Sequence, residues 1–67
     1  MDKETWSKIT YIENEIRSAG YDPYAQLSWF IQTNDARYIT RQGNARQLVL
    51  ELDMGALTEY VMRMKLN

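Results

Sequence analysis

The sequence predicts an all-α fold, a compact bundle of about four short helices in a single domain that covers residues 1–67. Apolar residues recur three or four positions apart along most of the chain, which is helical spacing. The hydrophobic share of 45% and the charged share of 25% are typical of a globular domain. Gly20 and Pro23 lie between two periodic stretches, as expected where one helix ends and the next begins.

The first helix is predicted from Asp2 to Ala19, because its apolar residues gather on one face at about 100° per residue. Asp2 is a suitable N-cap, and Gly20 is a suitable stop at the other end. Glutamates precede basic residues by four positions, at Glu4–Lys8 and Glu13–Arg17, which stabilises a solvated helix face. The inner face consists of Trp6, Ile9, Ile12, Ile16 and Ala19.

The second helix is predicted to begin at Pro23, with Asp22 as its N-cap, and to end at about Thr33. Asn34-Asp35 then indicates a turn, and residues 37–40 a short extended connection. The inner face of this helix consists of Tyr24, Leu27, Phe30 and Ile31.

A third helix is predicted from about Gln42 to Leu52, capped by Thr40 or Asn44. Asp53 is the expected cap of a fourth helix, although one bent helix is an alternative to two separate ones. Glycine costs roughly 1 kcal/mol inside a helix, so Gly55 favours a break nearby. The inner faces consist of Ala45, Leu48, Val49 and Leu52 in the third helix, and of Leu57, Tyr60, Val61 and Met64 in the fourth.

The chain has no cysteine and no histidine, which removes the thiol nucleophile, the usual near-neutral base and the commonest transition-metal ligand. Glu13 and Glu15 lie on different helical faces, and no carboxylate pattern matches a bundle-type metal site. Glycine is too sparse for a phosphate-binding loop. We therefore expect no enzymatic activity, no cofactor and no metal.

A net charge of −1 argues against a dedicated nucleic-acid binder, because phosphate binding depends on a basic excess. The longest apolar runs, such as residues 29–31, are far shorter than the ~20 residues of a membrane span. The N-terminal residues do not resemble a secretory leader. We expect a cytoplasmic protein without membrane insertion.

Four large apolar residues fall outside the predicted inner faces. A single exposed apolar residue is ordinary, but four are unusual in a domain of 67 residues. A chain of this length gains about as much from hydrophobic burial as it loses in ordering entropy, roughly 100 kcal/mol each, so a monomer would be marginal. These observations predict a homodimer whose interface uses some of the four. The interface candidates are Tyr11, Trp29, Leu50 and Met62.

A basic cluster interleaved with an aromatic residue lies in the middle of the chain, at Arg37, Tyr38, Arg41 and Arg46. It is suited to bind an anion near the start of the third helix. The preferred interpretation is structural: the arginines pair with Asp35 or cap the C-termini of helices.

A nucleic-acid-binding regulator is the alternative, with the helix near Arg41–Gln47 as the reading element. Glu51 and Asp53 on the same element, and the acidic total, argue against it. A small inhibitor that occupies a partner's active site is a further alternative.

Three segments resemble the IreB family of small bacterial regulatory phosphoproteins. Residues 20–26 correspond to its "GYNPxxQ" element, residues 34–39 to "GDPAYI" and residues 44–46 to "NAR", in the same order and at the same intervals. The similarity covers roughly residues 9–62. The residues of these family motifs are Gly20, Tyr21, Pro23, Gln26, Arg37, Tyr38, Asn44 and Arg46.

The resemblance implies a helical homodimer in the cytoplasm of low-GC Gram-positive bacteria, without enzymatic activity or cofactor. Members of the family are substrates of a transmembrane Ser/Thr kinase and act in cell-envelope stress and antibiotic-tolerance signalling. A Ser/Thr kinase and an unidentified protein target are therefore the expected partners. Within the shared motifs, Gln26 and Asn44 are expected to bond loop backbone, and Arg37, Tyr38 and Arg46 to hold the central loop against the third helix.

The sequence also departs from the family pattern. The family carries its phosphoacceptor threonines on an extension before the first helix, and this chain begins almost at that helix, as expected of a divergent member lacking most of the tail. Thr5 is the candidate phosphoacceptor, and an ordinary surface threonine is the alternative. The family's "ERDE" junction is Asp53-Met54-Gly55-Ala56 here, and Leu50 stands at a basic family position.

Overall fold

The computed structural model describes residues 3–66, with side chains up to Lys65. Within this range the chain forms four α-helices and one short 3₁₀ helix, and it contains no strand. The predicted all-α fold is therefore confirmed. The helices are α1 Lys3–Ser18, α2 Pro23–Thr33, α3 Ala45–Leu50 and α4 Met54–Leu66, and the 3₁₀ helix is Ala36–Tyr38.

The core lies where α1 packs against the other three helices. Ile9, Ile12 and Ile16 lie one helical turn apart and are completely buried, so the periodicity of α1 correctly predicted its inner face. Trp6 is an exception, because 37% of its surface is exposed and its ring packs on Tyr60 of α4, 4.7 Å between centroids. Predicted inner residues of the other helices are also fully buried, namely Leu27, Phe30, Ala45, Val49 and Leu57.

The connection between α1 and α2 forms as predicted. Gly20 has φ +91°, a conformation that favours glycine, and the next amide, that of Tyr21, donates to the Ile16 carbonyl at 3.1 Å. The Asp22 carboxylate accepts from the Ala25 amide at 3.3 Å. Pro23, which has no amide hydrogen to satisfy, is the first residue of α2 and is buried. This short turn fixes the direction in which α2 leaves α1.

The segment after α2 differs from the prediction. Residues 37–40 were predicted as extended, but Arg37 and Tyr38 belong to the 3₁₀ helix. The reason is local, because the Asp35 side chain accepts from the Arg37 amide at 3.0 Å and closes a helical turn. Ile39, which the sequence did not place in the core, is only 1% exposed. The central segment thus contributes a core residue as well as surface.

The third helix is shorter than predicted, six residues from Ala45 to Leu50 where residues 42–52 were expected. Gly43 has φ +59°, which interrupts a right-handed helix before it can start at Gln42. Asn44 is the N-cap by position but makes no side-chain capping bond. The Thr40 hydroxyl instead accepts from the Gln42 amide at 3.2 Å.

The third and fourth helices are separate. The Asp53 carboxylate accepts from the Ala56 amide at 2.9 Å and caps α4, as predicted. Gly55 lies inside the first turn of α4 and not in the break, which falls at residues 51–53. The predicted Glu4–Lys8 and Glu13–Arg17 pairs are present at 3.7 and 2.9 Å, and the capping role predicted for Asp2 lies outside the described residues.

Candidate functional site

An open groove of about 550 Å³ lies between α2, the 3₁₀ helix and the segment that leads to α3. Three arginines and three aromatic residues dominate its lining, and none of the aspartates or glutamates that the structure describes lines it. We call it the arginine groove and define it by Tyr21, Trp29, Arg37, Tyr38, Arg41 and Arg46.

Two of the aromatic rings in the groove are stacked. Trp29 of α2 and Tyr38 of the 3₁₀ helix lie with their centroids 6.0 Å apart and their planes at 23°. Trp29 lies outside the inner face of α2 and is 52% exposed, while Tyr38 is 45% exposed. The groove therefore presents a rigid apolar surface that solvent can reach.

Gln26 and Arg46 hold the segment that forms the groove. The Gln26 Oε1 accepts from the Thr40 amide at 3.0 Å. Arg46 donates from Nε and Nη2 to the Ile39 carbonyl at 3.1 and 3.0 Å, and from Nη2 to the Arg37 carbonyl at 3.3 Å. These bonds provide partners for backbone N–H and C=O groups in a segment that belongs to no α-helix. The roles predicted for Gln26 and Arg46 agree with these contacts, whereas Asn44 makes no such capping bond.

Arg37 is neutralised by a local ion pair. Its Nη2 lies 2.7 Å from the Asp35 Oδ2, and its Nε also donates to that carboxylate. Hydrogen bonds from the Arg37 side chain and amide lower the pKa of Asp35 to about 2, and the carboxylate raises the pKa of Arg37 above its ordinary value. This pairing is the structural interpretation that the sequence favoured for the basic cluster.

Arg41 and Arg46 have no such carboxylate partner. Across residues 3–65, salt bridges involve only Lys8, Arg17, Arg37 and Arg63 among the basic residues. The charge of Arg46 also helps to lower the pKa of Asp35, so Arg46 interacts with this carboxylate without forming a salt bridge, whereas Arg41 has no salt-bridge partner among these residues. Surface cations of this kind are available to an external anion.

A second, shallower depression of about 380 Å³ adjoins the groove, and Arg41 and Arg46 line both. It also includes Gly43 and Leu50. A Cβ atom at Gly43 would lie 2.8 Å from the Tyr11 hydroxyl, so α1 approaches the loop closely at this point. Tyr11 and Leu50, two of the interface candidates, thus lie near the same glycine.

The structure brings most of the predicted motif residues together. Tyr21, Gln26, Arg37, Tyr38 and Arg46 all line the arginine groove. The others lie elsewhere: Gly20 and Pro23 shape the turn between α1 and α2, and Asn44 lines the second depression.

Sequence reasoning grouped Arg41 with Arg37, Tyr38 and Arg46 but did not place Trp29 in the same site, although it singled out Trp29 as an interface candidate. One signal was present in the sequence. Gln26 and Trp29 are three positions apart in a helix and therefore lie on the same face. No comparable signal identified Ile39 as the buried anchor of this segment.

The predicted interface residues are all exposed, Tyr11 by 41%, Trp29 by 52%, Leu50 by 63% and Met62 by 61%. Tyr11 and Leu50 adjoin Gly43, Trp29 lies in the arginine groove and Met62 lies on α4. Their use in self-association remains a prediction.

Thr5 lies in the first turn of α1 and is half-buried.

In the described part of the chain, no group of three or more acidic residues is arranged to hold a metal ion. None of the helices in residues 3–66 has the length and apolar character needed to cross a bilayer. The arginine groove is therefore the most developed candidate site in the described residues.

These features define a small all-α domain with a cationic, aromatic surface groove. The model of the IreB regulatory phosphoprotein family matches residues 1–67, so this chain belongs to that family. The match confirms the resemblance drawn from the three motifs. It indicates a regulatory role, and the family is not one of enzymes.

Proposed function

We propose that the protein is a non-enzymatic cytoplasmic regulator that acts by binding other proteins, in signalling of cell-envelope stress and antibiotic tolerance. The observation that supports binding is the combination of exposed, stacked Trp29 and Tyr38 with Arg41 and Arg46, which form no salt bridge within residues 3–65. Aromatic residues and arginine are enriched at protein interfaces. Family membership supports the regulatory role.

The proposed input is phosphorylation by a Ser/Thr kinase at Thr5. Thr5 lies in the first turn of α1, where the helix dipole favours a negative group. Lys8 lies three positions further along the same helix and pairs with Glu4 at 3.7 Å. A phosphate on Thr5 would compete with Glu4 for Lys8, and Glu4 itself would repel it. Phosphorylation would therefore rearrange the charges at the start of α1.

The proposed assembly is a homodimer formed through some of Tyr11, Leu50, Met62 and Trp29. The exposure of these residues and their apolar character support this assignment. The Tyr11 hydroxyl lies close to Gly43, and Leu50 lines the same depression as Gly43, so we place both on one contact face. A dimer that uses Tyr11 and Leu50 and not Trp29 would lie beside Arg41 and Arg46, which line both depressions, and would leave the stacked Trp29 and Tyr38 for a different partner.

Incubation with the Ser/Thr kinase followed by intact-mass measurement tests the proposed phosphorylation. We expect one added phosphate on the unmodified chain and none on Thr5→Ala. Ser7→Ala is the matched control, because Ser7 is exposed on the same helix two positions away, and it should still gain one phosphate. A chain that gains no phosphate after extended incubation would contradict the substrate role.

Sedimentation at several protein concentrations tests the dimer. We expect a dimer at high micromolar concentration, and Leu50→Lys should weaken it by at least about tenfold, because a charge would be buried in an apolar contact. Gln32→Lys places the same charge on an exposed residue of α2 and should leave association unchanged. A well-folded monomer at high micromolar concentration is incompatible with the dimer.

The nucleic-acid alternative receives less support from the geometry. The helix α3 is only six residues long, fewer than two helical turns, which is short for a helix that reads a nucleic-acid groove. A gel-shift experiment in low salt, with mixed-sequence DNA and RNA, distinguishes the two functions. Retardation of either nucleic acid would favour the alternative over the regulator proposed here.

A further inference from the structure

The arginine groove has a chemistry that neither dimerisation through Tyr11 and Leu50 nor phosphorylation at Thr5 uses. We propose that it binds an acidic peptide segment of a partner protein in an extended conformation. Carboxylates of the peptide pair with Arg41 and Arg46, and its apolar side chains pack against Trp29 and Tyr38. This inference rests on the proposed function, since it names the surface and the class of ligand for a protein that acts by binding others.

The first argument is charge complementarity. The whole chain has a net charge of −1, yet three arginines line the groove and no carboxylate of the described residues does. Asp35 lies outside this lining, pairs with Arg37 and also attracts Arg46, so one carboxylate faces three arginines and the groove keeps an excess of positive charge. A cationic patch on a slightly acidic protein attracts an anionic partner, and arginine clusters are a recurrent means of recognising acidic motifs.

The second argument is the prior ordering of Arg46. Its Nε and Nη2 are bonded to the carbonyls of Ile39 and Arg37, which fixes the plane of the guanidinium. The remaining nitrogen of Arg46, Nη1, has no hydrogen-bond acceptor among the described residues, so its hydrogens are available to a ligand. A side chain held in place before binding loses little conformational entropy on binding.

The third argument is the arrangement of the two chemistries. The aromatic Trp29 belongs to α2, whereas Arg46 belongs to α3, so apolar and cationic groups come from different elements. Alternate side chains of an extended peptide point in opposite directions. A peptide in which acidic and apolar residues alternate therefore matches the groove.

Nitrogen-15 NMR of the two tryptophan indoles tests the proposal. The probe is a six-residue peptide of alternating glutamate and tyrosine, and the control peptide has lysine in place of each glutamate. Trp29 lies in the groove, while Trp6 packs on Tyr60 of α4 and serves as an internal reference. We expect the glutamate peptide to shift the Trp29 indole and not that of Trp6, and the lysine peptide to shift neither.

A matched pair of variants tests the role of charge. Arg41→Gln removes one positive charge from the groove and should weaken binding by at least about fivefold, the effect of losing one charged hydrogen bond at a partly exposed site. Lys65→Gln removes the same charge from an exposed residue of α4 and should change affinity by less than about twofold. Added salt should also weaken binding of the glutamate peptide.

Four results would overturn the proposal. The first two are an unchanged Trp29 indole signal at millimolar glutamate peptide and equal Trp29 shifts with the glutamate and lysine peptides. The third is an equal loss of affinity for the glutamate peptide in Arg41→Gln and Lys65→Gln. The fourth is tighter binding of a six-nucleotide single-stranded thymidine oligomer than of the glutamate peptide. The last would make the groove a nucleic-acid surface. Failure here is separate from failure of the proposed function, because phosphate incorporation and sedimentation are measured without any peptide.

Discussion

The hydroxyl of Tyr60 donates to the Oε1 of Glu13 at 2.6 Å and so ties α4 to α1 across 47 positions of the sequence. The same hydroxyl lies 3.2 Å from the Thr10 Oγ1, and the other carboxylate oxygen of Glu13 accepts from Arg17 at 2.9 Å. Tyr60 is only 8% exposed, whereas its partners Glu13 and Thr10 are half-buried. The bond fixes the last helix against the first.

Replacing Tyr60 with phenylalanine should therefore destabilise the fold. Tyr60→Phe removes a bond to a charged acceptor and leaves the ring, so we expect the free energy of unfolding to fall by about 1–2 kcal/mol. Urea denaturation measures the change. Tyr21→Phe is the matched control, because Tyr21 is 58% exposed, and equal losses in both variants would show that the Glu13 contact is not stabilising.

Stability should also fall at alkaline pH. Burial, followed by the hydrogen bond to Glu13, raises the pKa of Tyr60 above its ordinary value of 10.0. Above about pH 10 the unfolded chain releases this proton more readily than the folded chain, so the free energy of unfolding decreases as pH rises. The stabilisation that comes from the Tyr60 proton is complete below pH 10 and is lost as the pH rises through the pKa of Tyr60 in the folded chain.

Denaturation of the unmodified chain and of Tyr60→Phe between pH 8 and 11.5 measures this effect. The curve for Tyr60→Phe should fall less steeply above pH 10. Parallel curves for the two proteins would show that Tyr60 does not account for the alkaline loss.

Gly43 should not tolerate a side chain. It has φ +59°, and a Cβ atom there would lie 2.8 Å from the Tyr11 hydroxyl and 2.9 Å from the Glu15 carboxyl carbon. Gly43→Ala combines backbone strain with displacement of two side chains, for an expected loss of about 2 kcal/mol in thermal or urea unfolding.

Gly20→Ala separates the two causes. Gly20 has φ +91°, but nothing lies within 4 Å of its Cβ position, so this variant tests strain alone. Gly43→Ala should be partly rescued by Tyr11→Phe, which removes the hydroxyl at the point of contact. If Tyr11→Phe does not rescue Gly43→Ala, and if Gly43→Ala and Gly20→Ala lose the same stability, backbone strain accounts for the whole loss at Gly43.

Arg46 should be irreplaceable by lysine, although the charge is the same. The guanidinium donates to the carbonyls of Ile39 and Arg37 through two nitrogens, a geometry that an ammonium group does not reproduce. In Arg46→Lys we expect faster hydrogen exchange of the amides in residues 38–40 than in the unmodified chain, with the α1 amides unchanged. Arg41→Lys is the control and should not alter exchange there. Identical protection in Arg46→Lys would refute this anchoring role.

The Asp35 carboxyl should titrate at unusually low pH. The Arg37 amide and guanidinium hold its pKa at about 2, where 3.8 is its ordinary value. The stabilising contribution of the pair is thus present above pH 3.8 and is lost as pH falls through about 2. Carbon-13 NMR of the carboxyl should show this midpoint, and Arg37→Gln should raise it. A midpoint near 3.8 in the unmodified chain would contradict the pairing.

Helix positions and inner faces were predictable because they depend on local patterns. The spacing of Ile9, Ile12 and Ile16 identified the buried face of α1, and Asp22-Pro23 identified the start of α2. The 3₁₀ helix was missed, since Arg37 and Tyr38 have no helical periodicity and the turn depends on the Asp35 side chain. The length of α3 was overestimated because the left-handed conformation of Gly43 was not anticipated.

The sequence by itself determined the fold class, the caps of α2 and α4 and the family, because periodicity, capping residues and motif order are properties of neighbouring positions. Only the tertiary structure decided that Trp29 stacks on Tyr38 and that Arg46 bonds the carbonyl of Ile39. These contacts join residues from different elements, and their geometry depends on how the helices pack. The arginine groove is a consequence of that packing, which no local pattern encodes.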